Sequence, residues 1–228
     1  MTSFLITGAA RGIGRELVEQ ALSAGDSVIA TVRPGAENAL DDLLPTAKGR
    51  LELLTMDVRQ PESIARAAAA LGAPVDVLIN NAGIIGHQPQ SLLDMDFDGF
   101  ADTLNVNTLG PLRVSQCFLK NLRLGNNPRI VTVSSKMGSM SHQSSDRIAY
   151  RASKAAVNKV MQGLATDLRT EGIAVISMHP GWVRTDMGGQ GADISTEESA
   201  AGILRVANGL TLEKSGSFIN YDGSEIPW

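Results

Sequence analysis

The chain lacks the features of several protein classes. Its 228 residues contain one cysteine, Cys117, which rules out an intramolecular disulfide, and its apolar surroundings predict a small core side chain rather than a nucleophile. No apolar run reaches the roughly 20 residues of a membrane-spanning helix, and no basic start leads into an apolar secretory signal. A net charge of -4 without a dense lysine–arginine tract gives no general attraction to nucleic acid or anionic lipid. We therefore expect a cytoplasmic protein that binds no nucleic acid and spans no membrane.

A glycine-rich turn follows the first apolar run. Residues 3–7 read as a buried strand, three glycines come next, and apolar residues then recur at helical spacing. Glycines let such a turn approach a pyrophosphate, whose charge lies on the N–H groups of the helix N-terminus. An ordinary glycine-rich turn is the alternative, but the strand and the helix are where this mechanism requires them. The residues predicted to bind a dinucleotide here are Gly8, Arg11, Gly12, Ile13 and Gly14.

Length and patterning predict one α/β domain over residues 1–228. A hydrophobic fraction of 43% with 19% charged residues is typical of a globular protein, and the length suits one sizeable domain better than two. Strand-like apolar runs alternate with helical patterns, which predicts a single-domain, Rossmann-like doubly wound parallel sheet with helices on both faces and a site at the carboxyl ends of the strands. The runs after the first are 28–32, 51–55, 75–79, 130–133, 173–178 and 218–220.

Tyr150 and Lys154 are spaced so that a helix places them on one face. A free tyrosine has a pKa near 10 and is a weak acid at neutral pH. A fixed cation about 4 Å from the phenol stabilises the phenolate by roughly 4 kcal/mol at an effective dielectric near 20, which lowers the pKa by a few units. The pair therefore predicts a general acid, although a solvated helix face explains the same spacing when the pair is taken alone.

Six motifs, in order, resemble those of the short-chain dehydrogenases/reductases. They are residues 7–14, 80–83, 104–107, Ser134-Ser135, Tyr150 with Lys154, and 179–181. The resemblance covers the whole chain, and its later part is similar to the subgroup with the Sniffer carbonyl reductases and the bacterial C-factor signalling protein. It implies an NADPH-dependent oxidoreductase that moves a hydride between the nicotinamide and a small carbonyl or alcohol substrate. A NAD(P)-binding signalling protein of the C-factor type is the alternative, whereas the glycine spacing and a missing substrate domain disfavour an extended-type epimerase or dehydratase.

Charges near the second strand favour NADP(H). NAD-selective Rossmann proteins place an acid near the end of this strand, but here Thr31 has that position and Arg33 follows. The guanidiniums of Arg33 and Arg11 suit a 2′-phosphate, unless both point into water. The resemblance adds further cofactor contacts. These are Asp57 and Val58 at the adenine, Asn81, Ala82 and Gly83 along its ribose, Tyr150 and Lys154 at the nicotinamide ribose, and Pro180, Gly181, Val183 and Thr185 at the carboxamide.

The resemblance also implies a catalytic set. Tyr150 gives the proton, Lys154 tunes it, Ser135 binds the substrate oxygen and Asn107 holds a water that relays protons. Ser135 follows the predicted strand 130–133, but other serines lie nearby in the sequence, namely Ser134, Ser139, Ser141, Ser144 and Ser145. The stretch from Ser135 to Tyr150 is longer than in the commonest members, so we expect a reshaped substrate pocket with contributions from Met137, His142 and Gln143.

Two further expectations concern a flap and assembly. Residues 188–191 predict a short flexible flap, followed by a helix that Ser195 caps.

The helical stretches 100–123 and 149–170 are those that relatives often pair, which predicts a homodimer or homotetramer. The apolar ending 226–228 is expected against a neighbouring subunit, with Trp228 folded back on its own chain as the alternative.

Overall fold

Short apolar runs of the sequence become buried strands. The computed structural model describes residues 1–228, and seven parallel strands form its main sheet in the order β3-β2-β1-β4-β7-β8-β9, while β5 and β6 form a separate antiparallel hairpin. The strands are β1 Ser3–Thr7, β2 Ser27–Val32, β3 Leu51–Thr55, β4 Val77–Asn80, β5 Gln90–Ser91, β6 Asp94–Met95, β7 Arg129–Val133, β8 Ala174–His179 and β9 Phe218–Asn220.

Helices cover both faces of the sheet, because alternate strand residues point to opposite sides. Phe4 and Ile6 of β1 belong to one apolar cluster and Leu5 to the other. The predicted doubly wound α/β fold is therefore confirmed. None of its helices combines the length and the apolar character that a bilayer crossing requires. The helices are α1 Gly12–Ser23, α2 Leu44–Ala47, α3 Pro61–Ala70, α4 Phe97–Leu104, α5 Gly110–Cys117, α6 Leu119–Arg123, α7 Ile148–Leu168 and α8 Thr196–Gly209.

The strand order reverses beside β1, which positions the site. β1 pairs in parallel with both β2 and β4, and the chain crosses from the β3 edge back to β4. In open α/β sheets, ligands bind in the crevice outside the carboxyl ends of the strands at such a switch point. The loops after β1, β4, β7 and β8 all start at this carboxyl edge of the sheet.

The helical stretch predicted over residues 100–123 is not one continuous helix. A π-helical turn over Asn105–Leu109 separates α4 from α5, and the chain restarts as α6 after Phe118. Cys117 is exposed, so the prediction of a core residue was wrong. Val114 and Phe118, four positions apart, take the inward face of this stretch, and the residue beside Phe118 points outward.

The end of the chain packs on its own subunit. Trp228 stacks on Phe218 with ring centroids 5.6 Å apart, and the Ile226 amide donates to the Phe218 carbonyl at 2.8 Å. The Ser139 hydroxyl donates to the Pro227 carbonyl at 2.7 Å. Trp228 therefore folds back on its own chain, which was the alternative to a contact with a neighbouring subunit. The same residues also support the segment that follows β7, through the bond from Ser139.

Candidate active site

The glycine turn after β1 packs directly on the loop after β4. A Cβ on Gly14 would lie 2.2 Å from the Gly8 carbonyl oxygen, and one on Gly8, which has φ +66°, would lie 2.9 Å from the Ala82 Cα. The Thr7 hydroxyl accepts from the amides of Asn81 and Ala82, both at 3.0 Å. No side chain caps the N-terminus of α1, so its first N–H groups have no side-chain acceptor and are available to an anion.

Three arginines surround the position expected for the adenosine end. Arg33 is exposed, and its side chain makes no hydrogen bond or ion pair. Arg11 forms an exposed ion pair with Asp186 across the crevice, so it would have to change partner to bind a phosphate. Arg59, which the sequence reasoning missed, donates to Asp57 at 2.7 Å and holds the pKa of that carboxyl below its usual range. Val58 is buried in the core, so only its backbone is available to a cofactor.

Tyr150 and Lys154 lie on one face of α7, as predicted. The Lys154 Nζ is 5.6 Å from the centroid of the Tyr150 ring and donates to the Val133 carbonyl at 2.8 Å. Burial lowers the pKa of Lys154 to about 8. Burial also raises the pKa of Tyr150, while the Ser135 hydroxyl and the charge of Arg147 act in the opposite direction. In the protein without cofactor, burial therefore raises the pKa of Tyr150, and Lys154, contrary to the expected tuning, is not among the groups that lower it.

Among the neighbouring serines, Ser135 has the hydroxyl best placed for a substrate. Its oxygen accepts from the Met137 amide at 3.1 Å, which leaves its proton available. Ser134 donates to the Lys154 carbonyl at 3.3 Å, and Ser139 donates to the Pro227 carbonyl at 2.7 Å. Ser144 binds the Asp146 carboxylate. The hydrogen bonds therefore favour Ser135 over Ser134, Ser139 and Ser144 as the serine that binds the substrate oxygen.

Asn107 lies in the π-helical turn, and its side chain joins two segments of the site. Its Oδ1 accepts from the Ile84 amide at 2.9 Å, and its Nδ2 donates to the Ile84 carbonyl at 2.8 Å and to Ser153 at 3.0 Å. A Cβ on Gly83 would lie 3.3 Å from this Oδ1 and 3.6 Å from the Lys154 Nζ. Asn107 thus lies behind the loop after β4, next to Lys154, with both ends of its amide engaged.

Gln90 is a second residue that the sequence reasoning missed. It is 4% exposed, its Oε1 accepts from the Tyr150 amide at 3.1 Å, and its Nε2 donates to the Ile85 carbonyl at 2.8 Å. The first N–H groups of a helix have no partner within the helix. Gln90, in the β5–β6 hairpin, supplies the missing acceptor for the Tyr150 amide. No local sequence pattern predicts a helix cap from a residue 60 positions away.

The turn after β8 closes the crevice. Gly181 has φ +87°, and Val183 bridges to Ile194, with the Arg184 amide donating to the Ile194 carbonyl at 2.9 Å. The Gly188 amide donates to the Thr185 hydroxyl at 3.1 Å, and the Trp182 Nε1 donates to the Gly188 carbonyl at 2.9 Å. Gly188, the first residue of the predicted flap, is therefore held in place by two hydrogen bonds. Ser195 caps α8 by accepting from the Glu198 amide, as predicted.

One cavity of about 720 Å³ brings most of these groups together. Lys154 and Asn107 lie behind its wall. Predicted residues that line it are Ile13, Ser135, Met137, His142, Gln143, Tyr150, Pro180, Gly181, Val183 and Thr185, while Lys136, Asp146, Arg147, Arg151, Trp182 and Met187 were not predicted as site residues.

These features define the class of protein. A doubly wound parallel sheet, a glycine turn at its switch point and a tyrosine beside a buried lysine form a nucleotide-binding oxidoreductase domain. The model of the short chain dehydrogenase family matches residues 2–193. The chain belongs to this family.

Individual relatives agree with this assignment. The chain is 47% identical over 156 residues to the C-signal of Myxococcus xanthus, which covers 68% of this chain and 93% of that protein. The NADPH-bound carbonyl reductase from chicken fatty liver superposes with a TM-score of 0.91 at 32% identity, covering 100% of this chain and 99% of that one. The carbonyl reductase Sniffer of D. melanogaster gives 0.90 at 30% identity over 100% of both chains.

Proposed function

We propose that residues 1–228 act as one catalytic domain that reduces a carbonyl compound with NADPH. The observation that carries this proposal is the shared cavity wall of Ser135 and Tyr150, opposite the turn that contains Val183 and Thr185. A donor for the substrate oxygen, a proton source and a place for the nicotinamide then surround one space. The NADPH-bound carbonyl reductase with the same fold supports the choice of cofactor and reaction.

The residues present fit the cofactor at each of its parts. The cradle that a Cβ at Gly8 or Gly14 would fill lies beside the uncapped start of α1, which suits a pyrophosphate. Arg33 is the unpaired cation for the 2′-phosphate, and Arg11 can join it by releasing Asp186. Residues 81–83 would hold the adenine ribose, and residues 180–185 would hold the carboxamide.

NADPH supplies a hydride to the carbonyl carbon. The chain supplies the rest of the reaction. Ser135 donates a hydrogen bond to the substrate oxygen, and Tyr150 gives that oxygen a proton as the alkoxide develops. Lys154 would stabilise the resulting phenolate and would hold the hydroxyls of the nicotinamide ribose when the cofactor is bound. Asn107 holds the loop after β4 against Lys154, and a water beside it returns the proton from solvent.

Replacing Tyr150 with Phe tests the reaction. The phenol oxygen is the proton donor, so Tyr150→Phe should lower kcat by a factor of roughly 10² to 10⁴ and leave NADPH affinity nearly unchanged. The measurement is steady-state reduction of a panel of aldehydes, ketones and quinones, with NADPH titrated by fluorescence. Tyr221→Phe is the matched control, because Tyr221 bonds Glu198 outside this cavity. A Tyr150→Phe variant with most of its activity would refute the mechanism.

A signalling role is the second candidate, favoured by the identity to the C-signal. The two candidates differ in what they require of Tyr150 and Ser135, since cofactor binding alone needs neither hydroxyl. NADPH binding without turnover on any carbonyl of the panel would favour the signalling role. Turnover that Tyr150→Phe abolishes would favour the reductase.

We further propose a cytoplasmic homo-oligomer that pairs through the region of α4 and α5. Leu93, in the β5–β6 hairpin that precedes α4, is 99% exposed, and Phe97, the first residue of α4, is 77% exposed. Large exposed apolar side chains within a few residues of each other favour a partner. Light scattering at micromolar concentration should return at least twice 24.1 kDa, and the monomer mass would contradict this assembly. Cell fractionation tests the compartment.

A further inference from the structure

The charges around the cavity are unbalanced. Its lining carries three cations, Lys136, Arg147 and Arg151, and one acid, Asp146. Arg151 binds that acid at 2.7 Å, which neutralises both. Lys136 and Arg147 make no hydrogen bond or ion pair through their side chains and are exposed. A chain with a net charge of -4 thus presents two unpaired cations at its reaction cavity.

Arg147 is held in an unusual backbone conformation. It has φ 50° and ψ 45° immediately before α7, three positions ahead of Tyr150. A left-handed backbone at a residue with a side chain costs on the order of 1–3 kcal/mol and persists where the surrounding structure enforces it. Glycine or asparagine would adopt this conformation more readily. This backbone conformation fixes the direction in which the Arg147 side chain leaves the chain, at the edge of the cavity that it lines.

Both cations line the same cavity and are close enough to its polar groups to change their pKa values. The charge of Arg147 lowers the pKa of Tyr150, so the guanidinium lies within electrostatic reach of the phenol. The charge of Lys136 helps burial to lower the pKa of His179, on the turn side, to about 4. A substrate whose carbonyl oxygen contacts Tyr150 therefore occupies a cavity whose two unpaired charges are both positive. Its body meets the apolar side chains of Met137, Trp182 and Met187.

We propose that Arg147 and Lys136 form a carboxylate-binding subsite, and that the preferred substrates are carbonyl compounds that also carry a carboxylate. This proposal rests on the carbonyl reductase function above. A planar guanidinium binds a carboxylate through two parallel hydrogen bonds, and a lysine adds a flexible point charge. The subsite selects the substrate by its second functional group, while Ser135 and Tyr150 act on the first.

The test compares two aldehydes that differ at one substituent, 4-carboxybenzaldehyde with its carboxylate and methyl 4-formylbenzoate with an uncharged ester. We expect the unmodified enzyme to favour the acid at least tenfold in kcat/KM. Arg147→Gln and Lys136→Gln should each lower that preference about tenfold, mainly through a higher KM for the acid, and Arg147→Lys should restore part of it. Arg66→Gln is the matched control, because Arg66 is an exposed cation on α3, away from the cavity.

Binding is measured separately, so that this proposal and the proposed function fail in different ways. The probes are 4-(hydroxymethyl)benzoate and its methyl ester, titrated by fluorescence into the Tyr150→Phe variant with NADPH bound. Tighter binding of the acid that Arg147→Gln removes supports the subsite even if no aldehyde is turned over. Equal kcat/KM values and equal affinities for acid and ester would overturn the subsite and leave the reductase function intact.

Discussion

Lys154 offers the sharpest test of the electrostatics, because burial has lowered its pKa from 10.5 to about 8. Between these two values the folded state binds fewer protons than the unfolded state. The free energy of unfolding therefore rises with pH over this range. Below about pH 8 both states carry the charge, and the folded state bears the full desolvation penalty, on the order of 3 kcal/mol for a shift of this size.

The perturbation is Lys154→Met, which keeps the length of the side chain and removes the charge. Relative to the variant, the unmodified protein should gain about 2 kcal/mol of stability between about pH 7 and about pH 9.5. Tyr150, whose pKa is raised, keeps its proton in both proteins over this window, and the subtraction cancels the titration of groups that both share. Urea unfolding, followed by tryptophan fluorescence without cofactor, measures the difference at each pH.

A difference in stability that stays constant with pH would refute the reasoning, because it would mean that Lys154 titrates alike in the folded and unfolded states. The pH dependence separates charge from packing. Any packing change caused by methionine shifts all points equally. Bound NADPH should reduce the pH dependence, since ribose hydroxyls give the ammonium polar partners and favour its charged form.

Two further predictions concern residues at the edges of the site. NADPH should bind at least tenfold more tightly than NADH, about 1.4 kcal/mol, and Arg33→Asp should reverse much of that preference; equal affinities in the unmodified protein would contradict the charge argument. Gln90→Met leaves the Tyr150 amide and the Ile85 carbonyl without their side-chain partner, so it should lower the free energy of unfolding by about 2–4 kcal/mol and lower kcat as well. Gln116→Met, at an exposed position of α5, is its control, and equal stability of the two variants would show that the Gln90 bonds matter little.

Runs of apolar residues predicted the strands well where the strand bounds depend only on neighbouring residues in the sequence. The strands 3–7, 51–55 and 218–220 have the bounds that their apolar runs indicated. The strand expected over 75–79 begins only at Val77, because the Val75 amide donates instead to the Asn121 carbonyl of α6. Cys117 was misplaced because an apolar neighbourhood in the sequence does not say which side of a helix faces the core.

The site was harder to predict where partners come from far along the chain. Tyr150 and Lys154 lie on one face because their spacing is local. The support from Gln90 depends on a hairpin that lies 60 residues away in the sequence, which no window on the sequence covers. Burial of Lys154 depends on how β7 packs against α7, so the spacing predicted the pair but not the direction in which burial moves each pKa.

The segment between Ser135 and Tyr150 is attached firmly at both ends and exposed between them. A Cβ on Gly138 would lie 2.6 Å from the backbone carbonyl carbon of Lys154, and the Ser139 hydroxyl bonds to Pro227, whereas residues 140–146 are exposed. The residues expected to hold the adenosine half of the cofactor lie far earlier in the chain, before position 84. We therefore expect that segments of other lengths and compositions, grafted between Ser139 and Arg147, would change the substrate while leaving the residues for the adenosine half in place.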